Sequence, residues 1–397
     1  MGFGDGKVVD IHTHMYPPEY VKILESRTTM PLVRSFPGSE DPRLILLDTE
    51  LPLLKEAEAA KSRGETPTSL PGRPLTKHYS SLSQKMHFME THEIDISVVS
   101  LANPWLDFLS PEEAGPIAES INADFSRMCE EKCGRLFFFA ALPLTAPQDV
   151  ILSSINHVAG LPYCRGVILG TSGLGKGLDD PELLPIFHAL AEAKLMIFLH
   201  PHYGLPNEVW GPRATENYGH VLPLALGFPM ETTIAVTRMY LAGVFDQVPQ
   251  LNMLLAHSGG TLPFLAGRIE SCILHDGHLH HAGTKPKKTI WEVLSSQVYL
   301  DAVVYSDVGL KAAVHASGPD GHERLMFGTD HPFFPPLGSD EDGEWESVTW
   351  NGAAVKKAFG YGGTKDEEME SEEGKKVRGV MGGNAVRVLN LRRDGCR

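Results

Sequence analysis

Eight short apolar runs recur along this chain, and each is followed by a stretch patterned as a helix. They occupy residues 8–12, 96–101, 136–142, 164–169, 195–200, 251–257, 298–303 and 324–328, with ISVVSL, LFFFAAL and LMIFLH among them. A strand with one wet face alternates apolar and polar side chains. A run that is apolar throughout is covered on both faces, which calls for parallel strands with helices packed on each side. Eight such units are the count of a closed (β/α)8 barrel. The competing architecture is an open doubly wound sheet, whose first and last strands lie far apart. The polar residues that end these runs are spread over the whole chain, and only a barrel gathers them around one mouth. The expected class is therefore α/β, a (β/α)8 TIM barrel formed by residues 1–397 as a single domain. Residues 28–76, rich in Pro and Gly, read as an inserted lid-like excursion with a short strand and a helix within 44–60. Residues 337–397 read as a charged loop and C-terminal helices, and MGGNAVRVLNL at 381–391 as a short helix closing the barrel.

The first run carries the sharpest chemical signal. It ends in His12 and His14. On a strand, residues i and i+2 point the same way, so both imidazoles aim at one point. The second run leads to Asn103, the fifth to His200, the sixth to His257 and the eighth to Asp330. Taken singly, each is commonplace: a strand-end His is often structural, and a lone Asp is more often a turn former. Their equivalent positions in successive units argue for a shared site. His12, His14, His200 and Asp330 together suit a divalent cation such as Zn2+, with a place left for substrate, and Mn2+ accepts the same donors. His257 stands as a proton-handling or substrate-contacting group, or as a further ligand.

Composition narrows the partners. A net charge of −15 repels nucleic acid and anionic lipid, so neither is expected. No apolar run reaches membrane-spanning length, and the start has no signal-peptide pattern. Five scattered cysteines read as thiols of a reducing compartment, so a cytoplasmic protein is expected. The glycine-rich 170–180 segment is no phosphate loop, because Gly177 rather than Ser or Thr follows Lys176. The HDGHLHH patch at 275–281 reads as an exposed helix end or loop.

DIHTH, FLHPH, LLAHSGG and MFGTDHP resemble the metal-dependent amidohydrolase superfamily. Longer blocks (VVDIHTHMYPP, LPGRPL, SLANPW, CRGVILGTSGLGKGLDDP, GFPMETTIAV and LAGRIES) resemble its aminocarboxymuconate-semialdehyde decarboxylase branch. Within that branch they are similar to the fungal isoorotate decarboxylases. The resemblance implies one Zn2+ held by His12, His14, His200 and Asp330, no organic cofactor, and His257 beside the metal. It implies that Arg73 and Asn103 meet the carboxylate and polar ring atoms of a small anionic substrate, and that Phe228, Met230 and Phe333 wall its ring. Arg268 matches an arginine that relatives extend into a neighbouring subunit's site, which implies a homodimer. The implied activity is nonoxidative decarboxylation of 5-carboxyuracil to uracil and CO2, a pyrimidine-salvage reaction.

Loss of CO2 from a ring carbon leaves an unstable carbanion unless that carbon is protonated first. Asp330 is placed to supply the proton if a dry mouth and an anionic substrate raise its pKa. The alternatives are decarboxylation of aminocarboxymuconate semialdehyde or a hydroxybenzoate, hydrolysis of a cyclic amide or lactone, and a metal-binding barrel without catalysis. The fourth run ends Leu169-Gly170-Thr171 and lacks the lysine of two-metal hydrolases. The complete set of polar strand ends speaks against a silent barrel.

Overall fold

The computed structural model describes residues 6–46, 50–202, 204–211, 217–219, 221–282, 286–338, 342–361 and 371–391. The first strand, β1 (Val9–His14), is buried at every position. The excursion follows and contributes three short strands, β2 (Leu32–Arg34), β3 (Arg43–Ile45) and β4 (Arg73–Pro74). Seven more core strands come after it: β5 (Ile96–Ser100), β6 (Leu136–Ala141), β7 (Cys164–Gly170), β8 (Met196–His200), β9 (Met253–Leu255), β10 (Val298–Asp301) and β11 (Leu325–Met326). The large sheet runs β1-β5-β6-β7-β8-β9-β10-β11, with each neighbouring pair along it parallel. A helix follows each of the eight strands, from Pro18–Ser26 to Glu346–Ala358. This is the (β/α)8 barrel read from the sequence.

The apolar runs fold this way because both faces have partners. In β6, Phe138 turns outward and stacks on Phe125 of the helix Pro111–Glu131, centroids 5.7 Å apart. The next residue, Phe139, meets Phe198 of β8 at 5.3 Å. Both phenylalanines of β6 are fully buried, and each such burial is worth roughly 1.5–3 kcal/mol. That outer helix starts at a reciprocal capping box between Ser110 and Glu113.

The barrel closes by a seam, not a full ladder. Ile11 N donates to Phe327 O at 3.1 Å, His14 N donates to His331 O at 2.7 Å, and Thr13 bridges His331. The C-terminal segment covers the seam's lower end. Its π-helical turn Gly379–Gly383 brings Val380 O to Phe327 N at 2.8 Å. A Cβ at Gly382 would sit 2.0 Å from Lys7 O, so only glycine permits that approach. The closing helix expected at 381–391 is shorter, Asn384–Val388, because the preceding turn is wound as a π-helix.

The 28–76 excursion is a three-stranded antiparallel sheet, β2-β3-β4, with the helix Leu51–Ser62. Leu32, Phe36, Ile45, Leu54 and Ala57 give it a small core of its own. Much of the charged tail lies outside the described residues. Cys129, Cys164 and Cys272 are free thiols. With those three thiols free, no disulfide framework among the described residues holds this core. Among the described residues no helix is long and apolar enough to cross a membrane.

Candidate metal centre and active site

The carboxyl ends of the core strands converge on one buried cluster. His12 and His14 end β1, His200 ends β8, and Asp330 lies four residues beyond β11. One ligating atom from each of these four residues falls within 4.8 Å of the others. All four are buried.

Hydrogen bonds at the far side of each ring set what it presents to the centre. His12 Nδ1 lies 2.6 Å from Asp301 Oδ2, and His200 Nδ1 lies 2.8 Å from Pro201 O. Both acceptors hold the proton on Nδ1 and turn the Nε2 lone pair inward. His14 Nδ1 lies 3.0 Å from Ser100 Oγ. The Nε2 atoms of His12 and His14 are buried with no hydrogen-bond partner, although Asp330 Oδ1 is only 3.3 and 3.6 Å away. Orphaned buried nitrogens beside a carboxylate fit a cation, and the outer hydrogen bonds are those that orient metal-bound histidines.

Electrostatics agree with that fit. Burial lowers His14 to about 4, and burial reinforced by its histidine neighbours takes His200 well below its usual value. Burial works against the charged form of His12 as well, but Asp330 and Asp301 together overcome it and raise that group to about 10. Asp330 resists burial in the same way and is held well below the usual carboxylate range, chiefly by His12. The cluster thus has neutral imidazoles, an anion, and a positive charge drawn to His12. A divalent cation would supply that charge in place of the proton.

The other expected site residues are not all placed alike. His257 joins the cluster: its Nε2 is 3.6 Å from Asp330 Oδ2 and its ring is 5.3 Å from His200. Phe228 lies 6.2 Å from the rings of both His200 and His257, and Phe333 lies 5.7 Å from His14. Met230 is one turn from the mouth, its sulfur accepting from Thr261 Oγ1 at 3.4 Å. Arg73, on β4 of the excursion, reaches the mouth: its guanidinium sits 4.7 Å over Phe333 and 5.2 Å over Tyr79. It donates to Tyr16 OH at 3.3 Å, and its Nε is buried without a partner. Asn103 is buried, but its amide already donates to His202 O. Arg268 is apart from the cluster, exposed on the helix Leu262–His275.

Sequence reading missed the groups behind the cluster. Asp301 is fully buried, and its carboxylate accepts from His257 N, Ser258 N and Val303 N besides His12. Asp10 ties β1 to the Asp330 loop by accepting from Thr329 N and Thr329 Oγ1. Glu231 accepts from Thr171 Oγ1, His202 N and Gly204 N, fastening the loop after His200.

A family model described as Amidohydrolase matches residues 102–391. This chain belongs to the amidohydrolase family. It is 65% identical to IDCase of Metarhizium anisopliae, whose apo crystal structure superposes with a TM-score of 0.88 over 98% of this chain and 99% of that one. The Dictyostelium discoideum 2-amino-3-carboxymuconate-6-semialdehyde decarboxylase is 29% identical over 308 residues, 75% of this chain and 74% of its own. These two relatives place this amidohydrolase in the nonoxidative decarboxylase branch. The 5-carboxyvanillate decarboxylase of Novosphingobium aromaticivorans shares the fold at 17% identity, with a TM-score of 0.69 over 97% of this amidohydrolase and 96% of that chain. Its crystals hold manganese and a nitrobenzoic acid.

Proposed function

We propose that this amidohydrolase converts 5-carboxyuracil to uracil and CO2, with Zn2+ at the four-residue cluster. At the coarser level it is a metal-dependent nonoxidative carboxy-lyase acting on a carboxylated aromatic or heterocyclic ring. The observation that carries the carboxylate part is Arg73. Arg73 is half-buried at the mouth with its Nε wholly buried and unpartnered, forms no ion pair among the described residues, and lies over Phe333, which packs against the candidate ligand His14. A buried guanidinium is costly unless an anion meets it, and its planar fork suits a carboxylate. Similarity to IDCase, an isoorotate decarboxylase, supports the choice of ring.

When bound, the cation supplies Lewis acidity toward the substrate's carboxylate and neighbouring carbonyl oxygen. Arg73 holds the carboxylate, and Phe228 and Phe333 wall the ring and keep water out. Asp330 delivers a proton to C5. The electron pair of the C5–carboxyl bond then returns to the ring as CO2 departs, and uracil is left. His257, 3.6 Å from Asp330, returns a proton for the next turnover. Asp330 rests well below the usual carboxylate range, so the substrate's own negative charge must push it up before it can act as an acid. The 28–76 excursion, which carries Arg73, serves as a lid on a single-domain barrel. Arg268 completes the site of a second copy in a homodimer. The setting is cytoplasmic pyrimidine salvage.

The test is ultraviolet detection of uracil from purified, metal-analysed protein given 5-carboxyuracil. Uracil that appears, ceases on chelation and returns with Zn2+ supports the reading. No uracil from folded, fully loaded protein refutes the substrate, and hydroxybenzoates and the muconate semialdehyde come next.

A further inference from the structure

Tyr305 lies four residues past the end of β10, at the mouth of the barrel. Its hydroxyl oxygen is buried and has no hydrogen-bond partner among the described residues. Leaving a buried hydroxyl unpaired forfeits its hydrogen bonds to water, so such a group in a folded protein calls for an explanation. The backbone of Tyr305 is also in the left-handed region, at φ 54°. Bulky residues rarely adopt it, and they persist there only when the surroundings impose it.

The imposing contact is visible. Asn351, fully buried, accepts from Tyr305 N at 3.2 Å and donates to Gly328 O at 2.7 Å. One side chain thus ties Tyr305 to the strand end that leads into Asp330. The Tyr305 ring packs edge-on against Phe334, 5.9 Å away, and Phe334 adjoins the ring-walling Phe333. Burial, and then the charges of Asp330 and Asp301, push the phenol up, so it stays protonated and acts as a donor. An orphaned donor, held in a strained conformation within electrostatic reach of the cluster's carboxylates, has the properties of a group awaiting an acceptor.

We infer that Tyr305 contacts substrate, its O–H donating to an oxygen of the bound carboxylated ring. The inference deepens the proposed decarboxylase reading and rests on it. The closest test is Tyr305→Phe, which deletes one oxygen that bonds nothing among the described residues and so retains the fold. Three quantities are compared with wild type: kcat and KM for 5-carboxyuracil, Kd for 5-nitrouracil (a non-reacting analogue whose nitro oxygens mimic the carboxylate), and bound metal. Expected is a fall in kcat/KM of about 10- to 100-fold, the usual loss for a hydrogen bond to a charged oxygen, with weaker analogue binding and unchanged metal. Equal kcat/KM and equal analogue Kd in the two proteins overturn the inference. A fall in bound metal also overturns it, because Tyr305 would then be supporting Asp330 instead of touching substrate. Failure of wild type to release uracil is a separate result that sinks the functional reading. In that event the analogue Kd values alone decide on Tyr305, and equal values count against it.

Discussion

Replacing Asp301 by Asn is the most searching perturbation of the metal centre, because nothing but charge and one atom's hydrogen-bonding sense is altered. Each carboxylate oxygen has two N–H partners. Oδ2 faces His12 Nδ1 at 2.6 Å and His257 N at 3.0 Å; Oδ1 faces Ser258 N at 2.7 Å and Val303 N at 3.0 Å. An amide cannot serve both sides. With its NH2 toward Ser258 and Val303, two backbone donors meet a donor, and the loop carrying His257 is released. With its NH2 toward His12, that imidazole must accept at Nδ1. Its proton then moves to Nε2, and the lone pair aimed at the metal is lost. Either orientation forfeits two charge-assisted hydrogen bonds, each worth roughly 1.5–3 kcal/mol. A destabilisation of about 3–5 kcal/mol is therefore expected for Asp301→Asn, in line with breaking a buried charged contact. Removing the outer partner of a metal-bound histidine typically weakens metal binding by roughly 10- to 100-fold. Competition against a fluorescent chelator measures the affinity for Zn2+ or Mn2+, and urea unfolding of the metal-free protein measures the stability. Metal affinity within threefold of wild type, with an unshifted unfolding midpoint, would refute this reasoning.

Three further outcomes are expected. Asp330→Asn abolishes turnover; activity that survives with metal still bound shows that the proton comes from another group. Arg73→Met raises KM for 5-carboxyuracil by about 10- to 100-fold, the scale of a charged hydrogen bond, while affinity for uracil changes far less; equal effects remove its carboxylate role. His92 is buried, accepts from Trp345 N at 3.2 Å, and is lowered by burial to about 4. Its folded value lies below its unfolded one, so its contribution to stability is full above pH 6.5 and is lost as pH falls toward 4. Urea midpoints at pH 7.5 and pH 5 should therefore differ less in His92→Gln than in wild type, and an identical difference in the two proteins sinks the assignment.

The barrel strands were legible because burial on both faces leaves an uninterrupted apolar run, which a short stretch of sequence displays. The helix start at Ser110 is equally local, because Ser followed three residues later by Glu is the pattern of a capping box. The sheet β2-β3-β4 was not, since strands of two or three residues show no period and their pairing depends on Leu32 and Ile45 meeting across the excursion. The candidate ligands stood out because each occupies the same place in its β/α unit. Asp301 did not, although it too ends a strand. Its importance lies in partners on β1 and after β9, and a lone Asp in VYLDAV reads as an ordinary turn residue. Arg73 shows the limit most plainly. It sits in a Pro/Gly segment with no pattern, and the resemblance named it where the residues alone did not. Arg268 is exposed on this chain's surface, and the role proposed for it needs a second copy that one chain does not display.

The seam between β1 and β11 has a consequence for how the enzyme is made. His12 and His14 are made long before Asp330. The turn at Gly379–Gly383 that secures the seam comes later still. Contacts so distant in sequence form slowly. The nascent chain therefore carries an incomplete ligand set until Asp330 and the turn at Gly379–Gly383 have both been made, and the cation is captured only once the seam closes. Metal content then reports finished closure: a chain ending before Val380 should emerge with all four ligands in its sequence and little metal bound.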